Sequence, residues 1–66
     1  MKISRYEFEL QLDALINAAR SASSKETARR YLIQADNKID GYSNIPNELV
    51  QTYREKIAAV KRELGI

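Results

Sequence analysis

The sequence predicts an all-α protein, a small up-down-up antiparallel three-helix bundle that forms a single domain over residues 1–66. Three observations lead to this prediction. Each of three segments opens with a pattern typical of a helix start, each continues with apolar residues at helical spacing, and short polar junctions separate the segments. The expected helices cover roughly residues 5–21, 24–40 and 46–64.

The first predicted helix opens with the pattern Ser4-Arg5-Tyr6-Glu7. In such a capping box the Ser hydroxyl accepts a hydrogen bond from the third helical N–H, and the Glu carboxylate accepts one from the cap N–H. The apolar residues that follow fall within one stripe at about 100° per residue, which should face the core. They are Phe8, Leu12, Leu15, Ile16, Ala19 and Ala22.

The second predicted helix repeats the box at Ser23-Ser24-Lys25-Glu26, which places the cap at Ser23, and it should end at Gly41. Glycine reaches the left-handed backbone conformation that closes a helix without a Cβ penalty. Small residues in the apolar stripe of this helix would let a neighbouring helix approach closely. The stripe consists of Ala28, Tyr31, Leu32, Ala35, Ile39 and Tyr42.

The third predicted helix begins at Pro46, which follows Asn44 and Ile45. Proline suits the first turn because its φ is already helical and its missing N–H would have no partner there. Gly65 should end the helix in the left-handed conformation. Its stripe is the most strongly apolar of the three and consists of Leu49, Val50, Tyr53, Ile57, Val60 and Leu64.

Composition excludes several classes of protein. A chain of 66 residues that is 44% hydrophobic and 30% charged suits one small domain near the lower limit of independent folding. With no Cys and no His, the chain has no disulfide framework, thiolate nucleophile, zinc-finger spacing or imidazole ligand. No uncharged stretch approaches about 18 residues, and the start lacks an apolar run of signal-peptide length. We therefore expect a soluble cytoplasmic protein without membrane attachment.

Two pairs of carboxylates are the nearest approach to a catalytic motif. Glu9 with Asp13, and Asp36 with Asp40, are each four residues apart and therefore adjacent on a helix face. Paired acids divide into an acid and a base only in a cleft with little water, which nothing in the sequence suggests. We expect no enzymatic activity, no cofactor, no metal and no small-molecule substrate.

Three large apolar residues do not fit the core stripes. Tyr6 and Leu10 project about 160° and 200° around the first helix from Phe8, and Ile33 lies far from the stripe of the second helix. Single exposed apolar residues are ordinary, whereas a cluster is typical of an interface. We interpret the chain as a non-enzymatic protein-interaction module that binds another protein, or itself, through Tyr6, Leu10 and Ile33. It would act by occlusion or scaffolding, as a short accessory protein of a bacterium, phage or mobile element.

The alternative interpretation is nucleic-acid binding. The net charge of +2 arises from 11 basic and 9 acidic residues, with both signs mixed along all three segments. Arg20, Lys25, Arg29 and Arg30 nevertheless lie around the start of the second helix, where they could hold phosphate together with the free N–H groups. Glu26 lies inside this cluster, so an ordinary solvated face also explains it. A helix-turn-helix motif fits poorly, because no Gly occurs in the turn.

Overall fold

The computed structural model describes residues 2–66, which contain three α-helices and no β-strand. Helix α1 covers Arg5–Ser21, α2 covers Lys25–Gly41 and α3 covers Asn47–Leu64, so each predicted range is correct to within one residue at both ends. The bundle measures 32 × 16 × 16 Å. Within residues 2–66, none of the helices is long and apolar enough to cross a membrane.

Contacts at the two ends of the bundle establish the direction of the helices. Just before α1, the Ile3 N–H donates to the side-chain oxygen of Asn44 at 3.1 Å, and the Asn44 amide donates to the Ile3 carbonyl at 2.8 Å. At the other end, Arg20 near the end of α1 pairs with Glu63 near the end of α3 at 3.4 Å. Helices α1 and α3 are therefore parallel and α2 runs between them in the opposite direction, which confirms the predicted up-down-up order.

The start of α1 follows the prediction, and that of α3 differs by one residue. The Ser4 hydroxyl accepts a hydrogen bond from the Glu7 N–H at 3.1 Å. Pro46 occupies the cap position with φ −59° and ψ 142° and is not itself helical. Its carbonyl accepts from the N–H groups of Leu49 and Val50 at 3.0 and 3.1 Å. Proline thus begins α3 from outside the first turn.

The cap of α2 is Ser24, so the predicted capping box at Ser23 is wrong. The Ser24 hydroxyl accepts from the Thr27 N–H at 3.1 Å and donates to the Thr27 hydroxyl oxygen at 3.0 Å. Thr27 offers both groups three residues after Ser24, which favours this register over the earlier one. Glu26 is left to pair with Arg30 at 3.2 Å, one turn further along the helix.

The two glycines end their helices differently. Gly65 has φ 72°, and the following Ile66 N–H donates to the Lys61 carbonyl at 2.9 Å, which confirms the predicted left-handed ending of α3. Gly41 is the last helical residue of α2 and its φ is not positive, so the predicted left-handed conformation is wrong there. Helix α2 ends because Tyr42 becomes extended, with φ −106° and ψ 135°.

The core lies where the three predicted stripes meet. Twelve hydrophobic residues are buried and every one belongs to a predicted stripe: Phe8, Leu12, Ile16, Ala19, Ala28, Leu32, Ala35, Ile39, Leu49, Tyr53, Ile57 and Val60. The remaining stripe residues are half-buried against this core. Ile3, Ile45 and Ile66 pack there too, although they lie outside the helices and the stripes did not include them.

Phe8 is the aromatic centre of the bundle. Its ring meets Tyr53 edge-on at 5.6 Å between centroids and Tyr42 edge-on at 6.2 Å, both favourable arrangements for aromatic pairs. The two tyrosine hydroxyls donate in turn to α1, Tyr42 to Gln11 at 3.1 Å and Tyr53 to Asp13 at 2.8 Å. These contacts fix the rotation of α1 about its axis, and thereby decide which of its residues face outward.

Candidate protein-interaction surface

The outward side of α1 carries a short apolar stripe that faces solvent. Tyr6, Leu10 and Ala14 follow one another at intervals of four residues and are all exposed, Tyr6 to 74% and Leu10 to 55%. Residues four apart on a helix are neighbours, so the three side chains form one continuous strip. We call this strip the α1 outer face. Tyr6 and Leu10 are thus exposed as their phase relative to Phe8 predicts.

Acidic side chains border the α1 outer face. Glu7 lies three residues before Leu10 and Asp13 three residues after it, so both are its neighbours on the helix surface. Glu9, nearer the core, is paired with Arg5 at 3.5 Å. The exposed surface around Leu10 therefore combines apolar contact area with negative charge.

Ile33 is also exposed, to 51%, but it lies on a different side of the bundle. Around the α2 axis it is about 20° from Asp40, which faces α3 through a 2.8 Å bond with Arg54. Around the α1 axis Tyr6 is likewise about 20° from Asp13, which faces α3 from the opposite flank. Helix α3 lies between the two positions. The structure therefore does not bring Ile33 together with the α1 outer face.

Basic side chains border Ile33. Arg29 and Arg30 lie four and three residues before it and are exposed, and we call these three residues the Ile33 patch. Arg30 shares its charge with Glu26. Asp36, three residues after Ile33, is turned toward two cations of α3, at 3.8 and 3.9 Å. The patch thus has the opposite charge to the surface around Leu10.

The fold also gathers positive charge at one end of the bundle. The ends of α1 and α3 meet the start of α2 there, and six basic residues stand against Glu26 and Glu63. The remainder of the chain has seven acidic and five basic residues. Charges that alternate along the sequence are therefore separated in space. This basic end contains Arg20, Lys25, Arg29, Arg30, Lys61 and Arg62, of which the last two were not among the predicted site residues.

The basic residues predicted to bind nucleic acid do not form one open cluster. Arg20 is paired with Glu63 across to α3, and Arg30 with Glu26 along α2. The Lys25 ammonium group lies beside Gly65. Arg29 and Arg30 remain together on the α2 surface, as their sequence positions require.

The carboxylates are engaged in contacts that hold the bundle together. Asp36 and Asp40 both pair with Arg54, and Asp13 accepts the hydrogen bond from Tyr53. Burial raises the pKa of Tyr53, and the hydrogen bond to Asp13 and the negative charge of that carboxylate raise it further. The phenol thus remains a neutral donor. Among the residues that the structure describes, no group of three or more possible ligands could hold a metal ion.

Comparison with known proteins gives no relative: no family model, no curated protein and no solved structure matches this chain. Its function is therefore inferred from its own surface.

Proposed function

We propose that the chain is a non-enzymatic protein-interaction module that binds its partner through the α1 outer face. The observation that carries this proposal is the adjacency of Tyr6 and Leu10, two large apolar side chains exposed on neighbouring turns of α1. Among residues 2–66, Ile33 is the one other exposed large hydrophobic residue. Tyrosine suits an anchoring role because it buries much area and loses few rotamers on binding.

The size of the surface indicates a weak or transient interaction. A standard interface takes about 800 Å² from each partner, roughly a fifth of the 4413 Å² that this chain exposes. Complete burial of Tyr6 and Leu10 would contribute about 1.5 to 3 kcal/mol each, against an association cost of about 4 kcal/mol or more. Polar contacts must add to the apolar ones. The acidic border therefore favours a partner whose apolar groove is edged with lysine or arginine.

The double variant Tyr6→Ser with Leu10→Ser tests this proposal. The wild-type chain and the variant are immobilised, and the proteins retained from a cell extract are compared by mass spectrometry. We expect at least one protein retained by the wild type to be lost or reduced at least tenfold with the variant. Both substitutions lie at exposed positions, so circular dichroism should show an unchanged fold.

A matched control variant is Gln51→Ser with Glu55→Ser. These residues are also four apart and exposed, but they lie on the outward side of α3. The control should retain the same proteins as the wild type. An identical set of proteins on the wild type and on the folded Tyr6/Leu10 variant would contradict the proposal.

The basic end favours a second candidate function, the binding of nucleic acid. Arg20, Lys61 and Arg62 lie at helix ends, where free carbonyl groups favour cations and give a purely structural reason for them. Lys25 lies in the first turn of α2, where free N–H groups disfavour a cation, so helix stability does not explain it. Arg29 and Arg30 continue the positive charge along the same helix.

Titration with labelled DNA and RNA at increasing salt tests the second candidate. Binding through phosphate contacts should weaken steeply with salt, and Arg29→Ala with Arg30→Ala should reduce both the affinity and the salt slope by about two contacts. Lys2→Ala with Lys38→Ala removes the same charge away from the basic end and should have little effect. Absence of binding at low salt, or equal effects of the two double variants, would refute this function.

A further inference from the structure

We infer that the partner of the α1 outer face is a second copy of this chain, which docks there through its Ile33 patch. This inference rests on the proposed function and names the occupant of the same surface. Its basis is complementarity within one molecule. Among residues 2–66 the large exposed hydrophobic residues fall in two places, with Glu7 and Asp13 beside Leu10 and with Arg29 beside Ile33.

Charge favours unlike pairing over like pairing. If two copies joined through their α1 outer faces, Glu7 and Asp13 of both would be brought together around the apolar contact, and like charges across an interface are unfavourable. Two Ile33 patches would bring their arginines together in the same way. Docking of one α1 outer face on one Ile33 patch instead sets carboxylates against guanidinium groups, which also form the stronger charge-assisted hydrogen bonds.

The position of the two patches decides the form of the assembly. Helix α3 lies between them, so two copies cannot engage both patches of each other at once. Every contact leaves one α1 outer face and one Ile33 patch unoccupied at the ends of the pair. Such a head-to-tail contact adds further copies until a ring closes, or continues as an open chain. We therefore expect a concentration-dependent series of oligomers.

Sedimentation velocity of purified protein up to about 1 mM at low salt tests the inference, since a contact this small is expected to be weak. The average mass of the wild type should rise beyond that of a dimer. Leu10→Ser and Ile33→Ser should each weaken self-association at least tenfold, because each removes one half of the contact. High salt should weaken the wild-type association as well.

The decisive sample is an equimolar mixture of the two variants. The Leu10→Ser chain retains its Ile33 patch and the Ile33→Ser chain retains its α1 outer face, so together they can form one contact and no more. The mixture should therefore form a dimer that does not grow further. Gln51→Ser, at an exposed position of α3 outside both patches, should assemble as the wild type does.

The remaining outcomes separate this inference from the proposed function. A wild type that stays monomeric would overturn the inference alone, and the capture experiment would still judge the α1 outer face. A dimer that is lost with Leu10→Ser but not with Ile33→Ser would show like pairing of the α1 outer faces, which also overturns the inference and retains the proposed function. Self-association that folded Leu10→Ser protein keeps in full would count against both.

Discussion

The hydroxyl group of Tyr53 on α3 donates a 2.8 Å hydrogen bond to the carboxylate of Asp13 on α1, across 40 positions of sequence. The tyrosine is only 2% exposed, so loss of this bond would leave Asp13 to water while the ring stays in place. We expect Tyr53→Phe to lower the free energy of unfolding by about 1 kcal/mol. Urea unfolding followed by circular dichroism measures the loss.

The same substitution should change the response to alkaline pH. Because the folded-state pKa of Tyr53 is raised above the ordinary value of about 10, the unfolded chain loses this proton first as the pH rises. The stabilisation is complete below about pH 10 and is lost progressively toward the folded-state pKa. Unfolding curves above pH 10 should therefore decline more steeply for the wild type than for Tyr53→Phe. Tyr6→Phe, at an exposed phenol, is the control, and equal slopes for the wild type and Tyr53→Phe would contradict the assignment.

Leu10 and Leu12 form a matched pair on α1, since they are the same residue type two positions apart. Leu12 is fully buried and Leu10 is 55% exposed. Leu12→Ala should cost about 2 to 5 kcal/mol of stability through lost burial and an empty cavity, enough to unfold much of so small a protein. Leu10→Ala should stay within about 0.5 kcal/mol. Similar losses at both positions, measured by thermal unfolding of dilute protein, would refute the observed rotation of α1.

Ser23 and Ser24 distinguish the two registers of the α2 start. The Ser24 hydroxyl accepts the Thr27 N–H, so Ser24→Ala should cost about 1 kcal/mol. Ser23→Ala removes no such bond and should be nearly neutral. Chemical denaturation of both variants side by side gives the comparison. The reverse order would restore the capping box at Ser23.

The two glycines should respond to alanine with opposite sign. Gly41 is helical and a Cβ there would meet nothing within 4 Å, so Gly41→Ala should stabilise the protein by about 0.4 to 1 kcal/mol. Gly65 has φ 72°, which an L side chain adopts only under strain, so Gly65→Ala should destabilise by about 1 kcal/mol. Differential scanning calorimetry would show a higher Tm for the first variant and a lower Tm for the second. A shift of both in one direction would argue against the observed backbone.

Sequence alone predicts the bundle well because the buried stripe depends on helical period, which local order along the chain sets. Phe8 and Leu12 show this directly, since the period that buries them also exposes Leu10. The errors occur where two local solutions compete. Ser23 and Ser24 are adjacent possible caps, and only the position of Thr27 decides between them. Gly41 permits a left-handed ending, but the extended backbone of Tyr42 makes it unnecessary.

The candidate surface is less accessible to sequence reasoning because it depends on which helices lie side by side. Ile33 and Tyr6 are both exposed, yet nothing local to either residue places α3 between them. The basic end is different, since the predicted antiparallel order already brings Lys61 and Arg62 beside the start of α2. Counting charge by the ends of the bundle, and not along the chain, would have identified both residues.

The three-residue connection between α1 and α2 has a kinetic consequence. These helices can form a hairpin after a short loop closes, whereas α3 must be recruited through contacts such as Tyr53 to Asp13, across 40 positions. We expect refolding within microseconds to milliseconds, the range of helical bundles, with α3 docking after the transition state. Ser24→Ala should then slow refolding, while Tyr53→Phe should mainly accelerate unfolding. Temperature-jump relaxation across the denaturant transition would separate the two rates.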